Sequence, residues 1–408
     1  MPASAPPLSQ PMDARPERAT LRAWLAVLAL AVGCFAFVSS EMLPIGLLGP
    51  IAAGLHLPLG VAGLLVTGFA VMVALTAGPM TVLTGRIDRR RLMVLLMLAS
   101  LAGNALAAVS RDFATLLVAR LIVALAIGVF WSIATAMAVR LVPERQAVSA
   151  TSVVLGGLAV AAVLGVPMGT LIGQYAGWHT AFAALSLLSL LVGMAALLLL
   201  PPMPAQSAGS LRAIADAFGH DALRTVFYAT ALTMTGNFLA YTYVTAYLQD
   251  VAGIPSHWMS ALLLVYGVAG VAGNFSVGAA MQHSLRGALL GVLALLAASL
   301  LLLWAAGTNR IAAIALLVPW GIGYAALPVL LQTWVFRAAR ETGDAEAALS
   351  LFVMAFNAAI ALGALLGGLV VDHAGPRAPM LYAGLLVAAA WLLVARSRRT
   401  AQISAWPQ

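Results

Sequence analysis

Glu41 and Arg120 are the one carboxylate and the one basic side chain that this sequence places deep inside hydrophobic segments, FVSSEMLPIGLLGP and LLVARLIVALAIGVFW. A charge near the middle of an apolar span carries an insertion penalty of roughly 2.5–3.5 kcal/mol, so each points to use rather than accident. At a helical rise of 1.5 Å per residue, Glu41 lies roughly 13 Å below Pro50 at the end of its segment, and Arg120 roughly 12 Å past Asp112 at the start of its own. The two charges therefore share one depth. A carboxylate whose proton affinity depends on the distance of a cation can load and release a proton as that distance changes. Glu41 is accordingly the candidate proton carrier, and Arg120 the group that tunes it or holds its charge. A structural ion pair or a snorkelling group is the other use of such residues.

Uncharged polar and aromatic residues on apolar segments form a second set: Trp131, Asn237, Tyr241, Tyr243, Thr245, Gln332 and Asn357. Asn237 and Tyr241 are four apart and share a helix face. Amides and hydroxyls bind the hydroxyls of a sugar or nucleoside, and aromatic rings stack on a ring face. The same groups also serve as hydrogen bonds between helices, each contributing about 0.6 kcal/mol in membranes.

These residues need a membrane to sit in, and the composition supplies one. Of 408 residues, 63% are hydrophobic and only 8% are charged. Soluble domains carry about 25% charged residues, so no water-facing surface can be built from this inventory. The net charge of +8 comes from arginines scattered through loops, with no lysine, which argues against a nucleic-acid partner. The single cysteine, Cys34, excludes an intrachain disulfide. No Walker-type glycine loop, no metal-ligand spacing among the six histidines and no Ser/His/Asp or Cys/His constellation is present. The sequence therefore predicts no enzyme, no cofactor and no metal; the energy source expected is a proton gradient.

A span needs about 20 apolar residues. Twelve are predicted, near 23–48, 59–84, 92–110, 113–139, 147–174, 178–200, 223–248, 257–281, 287–306, 311–336, 345–371 and 377–395. With the N-terminus inside, 17 arginines fall on the cytoplasmic side and three (Arg111, Arg310, Arg377) on the other, which sets both termini in the cytoplasm. The organisation expected is a disordered tail (1–21), a six-helix half (22–200), a cytoplasmic linker (201–222), a second six-helix half (223–395) and a cytoplasmic tail (396–408). TGFAVMVALTAGPM at 67–80 echoes YGVAGVAGNFSVGA at 266–279, consistent with an internal duplication.

Two further stretches have two readings each. TGRIDRRRLM at 84–93 sets Gly85, Arg86, Asp88, Arg89 and Arg90 at a cytoplasmic mouth, either as loop anchors or as a latch on the facing half. LGGLAVAAVLGVPMGTLIG, with Gly165, Pro167 and Gly169, allows close helix packing or a hinge.

Taken in order, SSEMLPIGLL (39–48), GRIDRRRL (85–92), FWSIATAMAVRLVP (130–143), GVPMGTLIGQYAGW (165–178), AYTYV (240–244), ALLLVYGVAGVAGN (261–274) and FNAAIALGALLG (356–367) resemble the major facilitator superfamily, drug:proton antiporter type. Within it they are similar to the sugar efflux transporter and arabinose efflux permease group. The resemblance implies an all-α membrane protein of 12 transmembrane helices in two six-helix halves. It also implies a gate motif at 85–92, in which Arg86 and Asp88 are the nearest counterparts of the usual residues. Arg120 falls on the family's arginine implicated in proton movement, and Glu41 on the group's acidic residue. The span-five motif has Val166 inserted before Pro167. Asn237, Thr245 and Ala246 stand where sugar exporters of the group tend to have histidine, glutamate and proline. The function implied is proton-coupled efflux of a small hydrophilic solute, a sugar or sugar derivative, by alternating access. Chloramphenicol-like drugs or nucleosides are the alternative substrates, and a proton-coupled importer or a membrane sensor the less favoured roles. The partners expected are a small-molecule substrate and the lipid bilayer, for a monomer in a bacterial inner membrane.

Overall fold

The computed structural model describes residues 19–205, 221–339 and 345–397, and all regular structure among them is helical. Most of the expected N-tail, the linker and the C-tail lie outside the described residues. Twelve long helices follow in order: α1 (Leu21–Gly54), α2 (Leu59–Leu83), α3 (Arg89–Val109), α4 (Phe113–Leu141), α5 (Ala147–Ala176), α6 (Trp178–Leu199), α7 (Asp221–Tyr241), α8 (Met259–His283), α9 (Leu285–Ala306), α10 (Arg310–Ala339), α11 (Ala345–Ala374) and α12 (Ala378–Arg396). Helices are what this composition allows, since in hydrocarbon every backbone group must pair within its own segment.

Eleven of the twelve are long and apolar enough to cross a membrane. The remaining one, α7, departs from the expected row of equal spans because it carries Asp221, Arg224, Asn237 and several threonines. The threonines conceal their polarity: Thr230 and Thr233 donate to the carbonyls of Val226 and Ala229 four residues back, and Thr235 donates across to Ala359 of α11. The span expected over 223–248 is also interrupted. After Tyr241 come a turn, a short helix at Val244–Ala246 and a π-helical turn at Tyr247–Val251.

The packing repeats with a period of six helices. α1 packs on α5 and α6, α2 on α4, and α3 on α4 and α6; likewise α7 packs on α11 and α12, α8 on α10, and α9 on α10 and α12. The two sets meet through α2 against α11 and α5 against α8, pairings that exchange under the same shift of six. Small residues permit the close approaches within this plan. Along α5, Gly157, Gly165, Gly169 and Gly173 lie against Ala31, Ser39, Leu43 and Leu47 of α1.

Arginines at the bundle ends cap exposed helix carbonyls. Arg22 and Arg90 donate to Leu198 and Leu197 at the end of α6, Arg286 to Ala395 of α12, and Arg377 to Trp304 and Ala305 of α9. A cation at a helix C-terminus also meets the negative end of the dipole. Large apolar side chains such as Leu75, Leu198 and Leu369 point outward, as a lipid-facing surface requires.

Candidate functional site

The end of the bundle that holds Leu21 and Arg396 is here the terminal end, and the opposite end the distal end. Pro44 determines what happens on α1 midway between them. Having no N–H, it cannot donate to the carbonyl of Ser40 four residues back. Arg120 of α4 supplies the missing donor. Its guanidinium bonds the Ser40 carbonyl at 2.6 Å, the Ser40 hydroxyl at 3.3 Å and the Glu41 carbonyl at 2.9 Å, and it lies 4.4 Å from the ring centre of Phe69.

A buried polar chain backs this contact. The Ser40 hydroxyl donates to the Asn104 amide oxygen (2.9 Å), and the Asn104 amide donates to the Ser100 carbonyl (2.9 Å) and hydroxyl (3.3 Å). Ser100 in turn shares a hydrogen bond with Ser189 of α6 (2.9 Å). Satisfied buried networks of this kind fix geometry.

The Glu41 carboxylate itself is half-buried and makes neither an ion pair nor a hydrogen bond. Its electrostatic neighbours are Arg120 on its own side and Tyr324 of α10 opposite. Sequence reasoning thus placed both charges at one depth, and the structure sets them together. It differs on the contact: Arg120 grips the main chain of α1 and leaves the carboxylate unbonded.

Opposite Glu41 is an aromatic cluster from α7, α8 and α10. The rings of Tyr241, Tyr266 and Tyr324 are stacked, with centroids 4.9 Å apart for Tyr241–Tyr266 and 6.0 Å for Tyr241–Tyr324. Trp320 meets Tyr241 and Tyr266 edge-on and donates its indole N–H to Asn237 (3.0 Å). Two buried polar atoms here have no partner, the Asn237 amide nitrogen and the Tyr266 hydroxyl. Orphaned buried donors are uncommon, and each can donate to a solute's oxygen. Gly321 lets α10 approach the backbone of α8 at Tyr266.

Of the sequence candidates, Asn237 and Tyr241 belong to this cluster. Tyr266, Trp320 and Tyr324 were not among them; the spacing Trp320–Tyr324, four apart like Asn237–Tyr241, was the available signal. The other candidates lie elsewhere. Tyr243 is fully buried, donates to the Ala364 carbonyl (2.9 Å) and packs between Gly63, Gly367 and Gly368 at the α2–α11 seam. Thr245 donates to the Ile45 carbonyl (3.4 Å). Trp131 stands edge-on to Phe130, and the Asn357 amide donates back to Val353. Gln332 is exposed.

The residues of the 85–90 turn bond within their own half. Asp88 caps α3 through the Arg91 N–H (3.1 Å) and accepts from the Met203 N–H (2.7 Å), while Arg89 reaches the Thr84 and Gly85 carbonyls. In this conformation they do not reach across as a latch. Gly85 is buried, whereas Arg86 is exposed. Gly165 and Gly169 face α1, and the Pro167 carbonyl accepts from Ser260 of α8 (2.7 Å), so this part of α5 packs against both helices.

Toward the distal end, four hydrogen bonds among the described residues join the two helix sets: Gly60 N–H to Asp372 (3.0 Å), Gln174 to the Ser256 carbonyl (2.6 Å), Ser260 to Pro167 and Thr245 to Ile45. Residues 28–347 match the family model of the Major Facilitator Superfamily. The chain belongs to the Major Facilitator Superfamily. This facilitator is similar in fold to a bacterial homologue of the human lysosomal transporter Spinster, solved inward-facing and unoccupied, with 14% identity over 96% of this chain and 100% of that one and a TM-score of 0.74. The occupied form of that homologue gives a TM-score of 0.72 at 14% identity, over 94% of this chain and 98% of that one. The human organic anion transporter MFSD10 (TETRAN) gives 0.61 at 19% identity, over 91% and 98%. The facilitator is thus a multi-pass membrane protein built for transport by alternating access, and it is described here with its distal end closed.

Proposed function

We propose that this facilitator exports a small hydrophilic solute, a sugar or sugar derivative, in exchange for protons. The observation that carries the reading is the Glu41 carboxylate, unbonded at mid-depth and set between a fixed guanidinium and Tyr324. A lone carboxylate there can exchange a proton with whichever side is open, while Arg120 keeps a constant charge nearby. The unpartnered amide nitrogen of Asn237 and hydroxyl of Tyr266 suit a solute rich in hydroxyls, and the stacked tyrosines suit its ring face. The arginine distribution favours cytoplasmic termini in a bacterial inner membrane. On that orientation the terminal end faces the cytoplasm, from which solute loads. The unit expected to act is the single chain, with no chemical conversion of the solute.

A second reading, export of flat aromatic drugs or nucleosides, is favoured by the three parallel tyrosines with Trp320 on their edge. Inverted vesicles with a preset pH gradient decide between them. Sugars should release protons from wild-type vesicles and not from Glu41→Gln vesicles. A response to phenicols or nucleosides alone would overturn the sugar assignment, and unchanged coupling in Glu41→Gln would overturn the role of Glu41.

A further inference from the structure

Two arginines from different helices meet on the end of a third. Arg22 at the start of α1 and Arg90 at the start of α3 donate through their guanidiniums to the carbonyls of Leu198 and Leu197 in the last turn of α6, at 2.7 and 2.5 Å. Consecutive helix residues rise by only about 1.5 Å along the axis, so both cations are drawn to one spot.

The carbonyls cap the helix and do not discharge the pair. Each bond occupies one of the five N–H donors of a guanidinium and leaves its positive charge whole. Among the described residues neither arginine forms an ion pair. The neighbouring acid, Asp88, is spent on the N–H groups of Arg91 and Met203. Exposed Arg91 adds a third cation on the same turn of α3. Like charges held side by side repel unless an anion joins them.

The surroundings narrow the kind of anion. All three helix ends lie where an apolar span begins or stops, which is the headgroup level of a bilayer. α3 and α6 pack on helices of their own set, and their other faces are apolar and open, with Leu95 and Leu98 of α3 and Leu191 and Leu198 of α6 all exposed. A soluble anion would meet the charges and leave this wall of leucines unused, whereas a lipid meets both.

We infer that Arg22 and Arg90 form a site for the headgroup of an anionic phospholipid whose acyl chains lie on the leucine wall of α3 and α6. A lipid with two phosphodiesters, diphosphatidylglycerol, suits the pair best, since each guanidinium can hold one phosphate through a fork of two N–H bonds. Bound there, the lipid cancels the repulsion and ties the starts of α1 and α3 to the end of α6. The site lies at the bundle end, apart from the central cluster, and does not depend on what that cluster carries.

Native mass spectrometry of the delipidated full-length protein, with diphosphatidylglycerol or phosphatidylcholine added, tests this. The comparison is between Arg22→Gln/Arg90→Gln and Arg145→Gln/Arg396→Gln, the second pair being exposed arginines elsewhere on the same end. An arginine near a charged headgroup contributes about fivefold in affinity, so diphosphatidylglycerol should bind about fivefold more weakly to each single variant of the first pair and about 25-fold more weakly to the double. Affinity should stay within about twofold of wild type in the second pair. The same lipid should raise the unfolding temperature of wild type and leave that of Arg22→Gln/Arg90→Gln unmoved. Equal losses in the two pairs would mean diffuse attraction to a basic surface and would overturn the site. Phosphatidylcholine binding as tightly would overturn the charge requirement, and displacement of the lipid by millimolar inorganic phosphate would give the pair to a soluble anion instead.

Discussion

Arg120 donates to the main-chain carbonyl of Ser40 at 2.6 Å, and that carbonyl lacks a helical donor because residue 44 is proline. A cation and a proline 76 positions apart, one on α4 and one on α1, thus complete a single hydrogen-bonding requirement. The guanidinium is well suited to it, since its planar fork reaches two adjacent carbonyls at once. The consequence for Glu41 is a nearby positive charge that does not occupy the carboxylate. Four further expectations follow from contacts of this kind.

Arg120→Lys keeps the charge but not the fork. It should lower stability by about 1–3 kcal/mol, the penalty for leaving buried polar groups unmatched. In a Pro44→Ala background Ser40 regains a backbone donor, so the same substitution should do less damage there. Thermal unfolding of the four proteins in detergent measures this; equal losses in both backgrounds would show that Pro44 and Arg120 are not coupled.

At the α2–α11 seam, a Cβ on Gly63 would fall on the hydroxyl of Tyr243. Gly63→Ala should therefore destabilise by about 1–3 kcal/mol through overpacking. Tyr243→Phe removes the oxygen together with its bond to Ala364. The double variant should be more stable than the sum of the single losses by about 0.5 kcal/mol or more, and strict additivity would disprove the clash.

Asp372 of α11 accepts from the N–H of Gly60 at the start of α2, a helix whose own N-cap, Pro58, offers no side-chain acceptor. One helix set thus caps a helix of the other. Asp372→Ala removes a cap contributing about 1 kcal/mol, which is about fivefold in population. Pulsed EPR on labels at Arg111 and Thr308 should find a larger distal-open fraction, and an unchanged distribution would rule out a lock.

Asp112 caps α4, accepting from the Thr115 N–H and hydroxyl, both at 2.8 Å, and its carboxyl is held below the ordinary carboxylate range mainly by the Thr115 backbone bond. With the folded value below the unfolded one of about 3.9, the unfolded chain binds more protons as acid is added. The charge therefore stabilises the fold above about pH 4 and the benefit fades as pH falls through the folded value. Melting curves of wild type and Asp112→Asn should differ at pH 6 and converge in acid; a gap that stays constant as the pH is lowered from 6 through the acid range would contradict this.

The helices and their order were legible in the chain because apolar runs of about 20 residues have few other uses. The interruption after Tyr241 was less legible, since Thr242 donates back to Phe238 and Tyr247 donates to Leu303, and neither bond leaves a local mark on the sequence. Which partner Asp88 takes, its own half or the facing one, depended on where residue 203 would lie, a matter of the fold.

By itself the sequence determined that this protein is a helical membrane bundle and that Glu41 and Arg120 are its exceptional charges, because the cost of polarity in hydrocarbon is a local quantity. Only the tertiary structure decided which atoms Arg120 holds, that Tyr266, Trp320 and Tyr324 join Asn237 and Tyr241, and that Tyr243 and Thr245 close seams instead. Hydrogen bonds and ring stacking act over a few ångströms between residues far apart in the chain, so their partners exist only once the helices have packed.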